Sequence, residues 1–142
     1  MKKYLLTALI AFCTTLFASA QFMVVTTYDG DLDDTDQFTQ KAGIGYMATD
    51  AFTVGMNRSY ETDTNNVNSD IYEFFARYTV KDNIWLAFSM PTKDGSDRMN
   101  VGAGFSFQLY NGLYFDPNYT IPVKEVDGKR DGTANFSLSY RF

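Results

Sequence analysis

Asn135-Phe136-Ser137-Leu138-Ser139-Tyr140-Arg141-Phe142, at the C-terminal end of the sequence, alternates without an exception: four apolar side chains at even positions, four polar ones at odd positions. Period two is the signature of a β-strand with one greasy and one polar face. The stretch before it repeats the pattern, with Leu113, Phe115, Pro117, Tyr119 and Ile121 against Tyr114, Asp116, Asn118 and Thr120. Val101, Ala103, Phe105, Phe107 and Leu109 likewise oppose Gly102, Gly104, Ser106 and Gln108, and Tyr72, Phe74, Ala76, Tyr78 and Val80 oppose Glu73, Phe75, Arg77, Thr79 and Lys81. Nearer the N-terminus the alternation is weaker, through Ala42, Ile44, Tyr46 and Ala48 and then Phe52, Val54, Met56 and Tyr60. It is poorest from Phe22 to Tyr28. Polar clusters rich in Asp, Asn, Gly and Ser punctuate these segments. The pattern predicts eight strands, at about 21–28, 40–49, 52–61, 71–81, 84–91, 99–110, 113–123 and 134–142.

The connections carry a second signal, because long ones (29–39, 62–70, 92–98, 124–133) alternate with tight ones (50–51, 82–83, 111–112). A barrel crossing a membrane once per strand sorts its turns in this way, short on the periplasmic side and long outside. Asn111-Gly112 is the strongest hairpin signal, read as a type I′ turn. Eight strands put both termini on the periplasmic side.

Lys2 and Lys3, the apolar stretch Tyr4 to Phe17 and Ala18-Ser19-Ala20 follow the order of a secretory signal peptide, cut after Ala20. Residues 1–20 are therefore expected to leave, and 21–142 to form one domain. Phe12 stands before Cys13 where lipidation requires a small residue. Removing Lys2 and Lys3 from the 12 basic residues leaves ten against 17 acidic ones, which argues against nucleic acid as a partner. Cys13 is the sole cysteine, so no disulfide or thiolate metal site holds the domain together.

A two-faced sheet can turn its oil inward, as in a soluble lipocalin-like periplasmic carrier, or outward into lipid. Strands long enough to cross, roughly 9–11 residues, favour lipid. So do aromatics near the strand ends: Tyr28, Tyr60, Tyr72 and Tyr119 at the outer rim, Phe22, Phe52 and Phe142 at the inner one. The lumen then receives Lys41 and a charge network of Glu73, Arg77, Lys81, Asp116 and Arg141, with Gly43, Gly45, Gly55, Gly102 and Gly104 making room. An eight-stranded lumen is just wide enough to be filled by side chains. The one charge on the apolar face is Arg58, close to the external rim.

The last strand, ending Ser139-Tyr140-Arg141-Phe142, resembles the C-terminal assembly signal of outer-membrane β-barrel proteins. The segment Gly112-Leu113-Tyr114-Phe115-Asp116-Pro117 and the alternating loop lengths are similar to small OmpX-type and OmpA-type porin-family barrels. The resemblance implies an all-β, eight-stranded, antiparallel, up-and-down transmembrane β-barrel in the outer membrane of a Gram-negative bacterium. It also implies that the barrel-assembly machinery reads Tyr140 and Phe142. No family active site or cofactor comes with it.

The sequence contains no histidine. Hydrolytic barrel enzymes of the outer membrane use one as general acid or base, so no enzyme is expected. The first external loop carries Asp29, Asp31, Asp33, Asp34 and Asp36, oxygen ligands suited to weak divalent-cation binding or to bridging lipopolysaccharide. Asp34 and Gln40 stand where an EF-hand needs Gly and Glu. The function expected is a structural or interaction barrel acting through its external loops on an unidentified ligand, in contact with the lipid bilayer and lipopolysaccharide. A narrow pore for ions or small solutes and the soluble carrier are the alternatives.

Overall fold

The computed structural model describes residues 21–30, 36–62, 64–65, 67–125 and 127–142. The expected signal peptide, 1–20, and Asp31, Asp33 and Asp34 of the acidic loop lie outside them. The elements are β1 (Gln21–Thr27), α1 (Asp36–Thr39), β2 (Ala42–Met47), β3 (Phe52–Thr62), β4 (Asn68–Lys81), β5 (Ile84–Pro91), β6 (Asn100–Phe105), β7 (Phe107–Tyr110), β8 (Leu113–Pro122) and β9 (Thr133–Arg141). Strands adjacent in sequence pair antiparallel, except that β6 and β7 both pair with β8 instead of with each other, and β9 pairs with β1, so the sheet closes on itself.

β6 and β7 are two halves of one stave, since both pair with β8 in a single register. The stave expected over 99–110 is thus split at Ser106. Continuing that register sets Phe105 opposite Pro117. Because the Tyr28 N–H donates to the Phe136 carbonyl, Phe136 turns its backbone toward β1. Its partner Pro117 must therefore turn toward β6, where it has no N–H to give. The ladder toward β8 lapses there, while on its other side Ser106 donates its N–H to the Asn83 carbonyl, in line with the β5–β6 register. Eight staves remain.

The tie between oil inward and oil outward is broken by burial. Among the described residues, the buried apolar side chains are Met23, Val25 and Trp85, whereas Ile44, Phe74, Leu86, Phe105 and Phe136 all stand on the outside, Ile44 at 64% exposure. Three apolar side chains are not a core that folds in water, and an exposed belt of this size is stable only against another apolar phase. Thr53, Arg77, Ser106, Asp116, Ser137 and Ser139 are the buried polar residues. A lipocalin-like carrier would have these two sets exchanged, so that alternative is overturned. The chain is a transmembrane β-barrel. Closure leaves no sheet edge to be satisfied by water, the condition for crossing a bilayer with strands.

The poor alternation of β1 now has a cause. Its buried inward residues are Met23 and Val25, both apolar, and they fill the lumen beside Gly45, where a Cβ would crowd the Met23 side chain. β1, β2 and β5 run to 7, 6 and 8 residues, shorter than the expected crossing length. The turn after β2 begins at Ala48, and Thr49 exchanges backbone hydrogen bonds with Phe52. At 111–112, Gly112 alone has positive φ, 79°, which excludes type I′. A register shift between Gln108 and Tyr110 accompanies it, the combination a glycine bulge produces.

Placing a charge on the belt tests the orientation. Phe88→Arg should lower the unfolding free energy by about 2–4 kcal/mol in urea titrations from lipid vesicles. A neutral effect would mean that Phe88 does not face acyl chains.

Candidate functional site in the lumen

Asp116 has no exposed surface in the folded chain. It sits on the inward face of β8, in register with Ser137 of β9, so the polar positions of both strands converge on it. Its carboxylate accepts from Arg77 Nη1 at 2.9 Å and from Ser139 Oγ at 2.7 Å, and Arg141 Nη2 stands 3.5 Å from its second oxygen. Arg77 belongs to β4, which does not pair with β8, so this ion pair crosses the lumen and ties opposite walls together.

The two guanidiniums outnumber the one carboxylate, and aromatic faces absorb the difference. Arg77 lies 3.8 Å over the ring of Trp85, and Arg141 lies 3.9 Å over that of Tyr114. A cation on a ring face is attracted by the ring quadrupole, most strongly where water is excluded. Ser106 Oγ accepts from both Trp85 Nε1, at 3.1 Å, and Arg141 Nη2, at 2.7 Å, which closes the network. Trp85 needs the glycine opposite it, because a Cβ on Gly104 would collide with its ring.

Of the five charged residues read from the alternation, the structure thus joins Arg77, Asp116 and Arg141. Glu73 lies farther toward the external rim, with no ion pair among the described residues. Lys81 is exposed at the end of β4, outside the network. The register shifts between Thr79 and Lys81, and this irregularity beside the 82–83 turn takes Lys81 out of phase with Arg77.

The lumen is not filled along its whole length. Beyond the network, on the side of the long loops, a cavity of about 320 Å³ opens between the staves, floored by Arg77 and Trp85 and walled by Thr27, Asn57, Glu73, Ser89, Asn100 and Asn135 among others. Side chains fill the inner half, and a polar cup occupies the outer half.

In the acidic loop, Asp29 is committed to the protein. Lys41 Nζ lies 2.8 Å from its Oδ2, which also accepts from the Tyr60 hydroxyl at 3.0 Å. Asp36 opens α1, whose Phe38 packs on Tyr28 at 5.3 Å. Among the described residues no three metal-ligating side chains cluster. Arg58 is paired on the outer face with both carboxylate oxygens of Asp70, at 2.9 Å. Tyr140 and Phe142 meet edge to face at 4.9 Å on the outside of the inner rim, where the Phe142 N–H donates to the Phe22 carbonyl.

Sequence reasoning passed over Trp85, Tyr114, Ser106 and Ser139. Ser106 and Ser139 were in phase with Gly104 and Arg141 and read only as the polar side of a strand. Trp85 carried a signal of its own: it is the single tryptophan, set between outward Ile84 and Leu86.

Neither a family model nor a curated protein matches the sequence. Solved structures similar to the chain include two membrane barrels. One is from "De novo design of transmembrane beta-barrels", at 15% identity over 87% of this chain and 94% of that one, with a TM-score of 0.45. The other is the outer membrane protein Ail of Yersinia pestis in a phospholipid bilayer nanodisc, at 13% identity over 87% and 98%, with a TM-score of 0.39.

Arg77→Ala strands a buried carboxylate and should cost about 3–5 kcal/mol. The double change Arg77→Met with Asp116→Leu removes both charges and should recover most of that loss. Equal losses in the single and double variants, by urea titration in vesicles, would show that the pair does not hold the walls together.

Proposed function

We propose that the chain is a non-enzymatic outer-membrane barrel of a Gram-negative bacterium, a rigid closed frame that carries four polar connections on its outer side and acts through them. The observation that carries this reading is the buried Arg77–Asp116 pair spanning the lumen, with Arg141, Trp85 and Tyr114 packed against it. An ion crossing an eight-stranded barrel would have to displace these groups, each held by a charge, a hydroxyl or a ring face, although Arg141 Nε is buried without a hydrogen-bond partner among the described residues. Ser139 donates to Asp116, but that carboxylate is already held by Arg77 and Arg141 and is closed to the cup, and the chain has no histidine to act in its place. The site clamps; it does not transfer.

In this reading Tyr140 and Phe142 present the last strand to the barrel-assembly machinery, lipopolysaccharide surrounds the outer half, and the loops meet an external partner. The acidic loop contributes a negative surface suited to weak divalent bridging.

Cell fractionation and planar-bilayer recording test the reading together. The protein should extract with outer membranes and migrate anomalously on a gel until boiled, and wild type and Arg77→Ala should both be electrically silent. Discrete current steps in Arg77→Ala would replace this reading with a gated pore.

A further inference from the structure

A charged pair interrupts the apolar face of the barrel. Arg58 of β3 and Asp70 of β4 both point outward and are exposed, and they stand on a diagonal because Arg58 is in register with Tyr72 and Asp70 with Tyr60. Tyrosines on the outer face mark the level of lipid headgroups, so the pair stands where acyl chains give way to polar groups. Arg58 Nη2 alone reaches both Asp70 oxygens, at 2.9 Å, and neither side chain has another hydrogen-bond partner among the described residues. The guanidinium therefore keeps the N–H donors of Nε and Nη1, and the carboxylate keeps lone pairs, facing the membrane. An exposed pair of this kind adds little to stability, which leaves its position on a lipid-facing wall to be explained by what it meets. One rung below, Ile44, Met56 and Phe74 form an exposed apolar row across β2, β3 and β4, and the register carried one step past Gly43 and Asn57 sets the small Ala42 beside Arg58.

We propose that Arg58 and Asp70 bind the headgroup of a zwitterionic membrane lipid of the phosphoethanolamine class. Its phosphate accepts from Arg58 Nε and Nη1, its ammonium donates to Asp70, and its acyl chains lie on the row of Ile44, Met56 and Phe74. A phosphate suits the planar fork of an arginine. The partner on the other side sets the selectivity: Asp70 repels a headgroup that is only anionic, and a choline headgroup has the matching charges but no N–H to donate. The site lies on the wall of the barrel and is independent of what the loops bind.

The test is an NMR titration of the barrel in phosphatidylcholine nanodiscs doped with phosphatidylethanolamine or, separately, with phosphatidylglycerol. Phosphatidylethanolamine should shift the Arg58 Nε–H and the amides of Arg58, Asp70 and Tyr72 with saturation, at a mole fraction about five-fold or more below that needed with phosphatidylglycerol. Asp70→Asn should bring the two lipids to near parity, and Arg58→Gln should abolish the saturable shifts with both. Heat-modifiable migration checks that each variant is folded; if Asp70→Asn is not, Arg58→Gln carries the test alone, and saturable shifts persisting in it would overturn the proposal. Equal response to the two lipids, shifts spread evenly around the barrel, or an unchanged preference in folded Asp70→Asn would overturn it as well.

Discussion

A carboxylate with no access to water governs this molecule. A buried carboxylate in the middle of a barrel is tolerated only where cations and hydroxyls surround it, and Arg77, Arg141 and Ser139 surround Asp116 from two opposite walls. Because the staves are few, those groups fill the cross-section, and the position of each is set by the alternation of its own strand. Outside, the same alternation turns Phe, Leu, Ile and Val toward the surroundings. Lipid outside and paired charge inside are thus one constraint seen from two faces of the sheet.

The lumen is divided by side-chain size. Around the floor of the cup, Trp85 lies over Gly104 and Phe75 over Gly55, where a Cβ on either glycine would collide with the ring. Large side chains and glycines interlock there, and the guanidiniums complete the packing. Toward the outer rim the inward residues are short, chiefly Ser, Thr and Asn, and the space between them becomes the cup. The charged clamp and the polar cup occupy successive levels of a single cylinder.

Much of this was legible in the sequence, for a physical reason. A period of two is rigidly tied to sheet geometry, so Phe136, Leu138 and Tyr140 could be assigned to one face from their spacing alone, and Asp116 and Arg141 to the other. Local departures from period two were not legible. The shift after Thr79 carried Lys81 out of the lumen, and Pro117 silenced one rung opposite Phe105; both depend on backbone hydrogen bonding that residue type only hints at. Trp85 was hidden by its size, since a bulky ring reads as belt until the glycine across from it is known. The cup was hidden too, because it exists only where the short inward residues of many staves reach the same height.

The central claim is that apolar side chains of the sheet touch acyl chains while the lumen is polar and paired. Nuclear Overhauser contacts between methyl groups and lipid acyl protons, measured on deuterated protein in nanodiscs, address it most directly. Ile44, Val54, Leu86, Val101 and Leu138 should cross-relax with the acyl chains, and inward Val25 should not. Acyl contacts at Val25 together with silence at Ile44 and Leu86 would contradict the account.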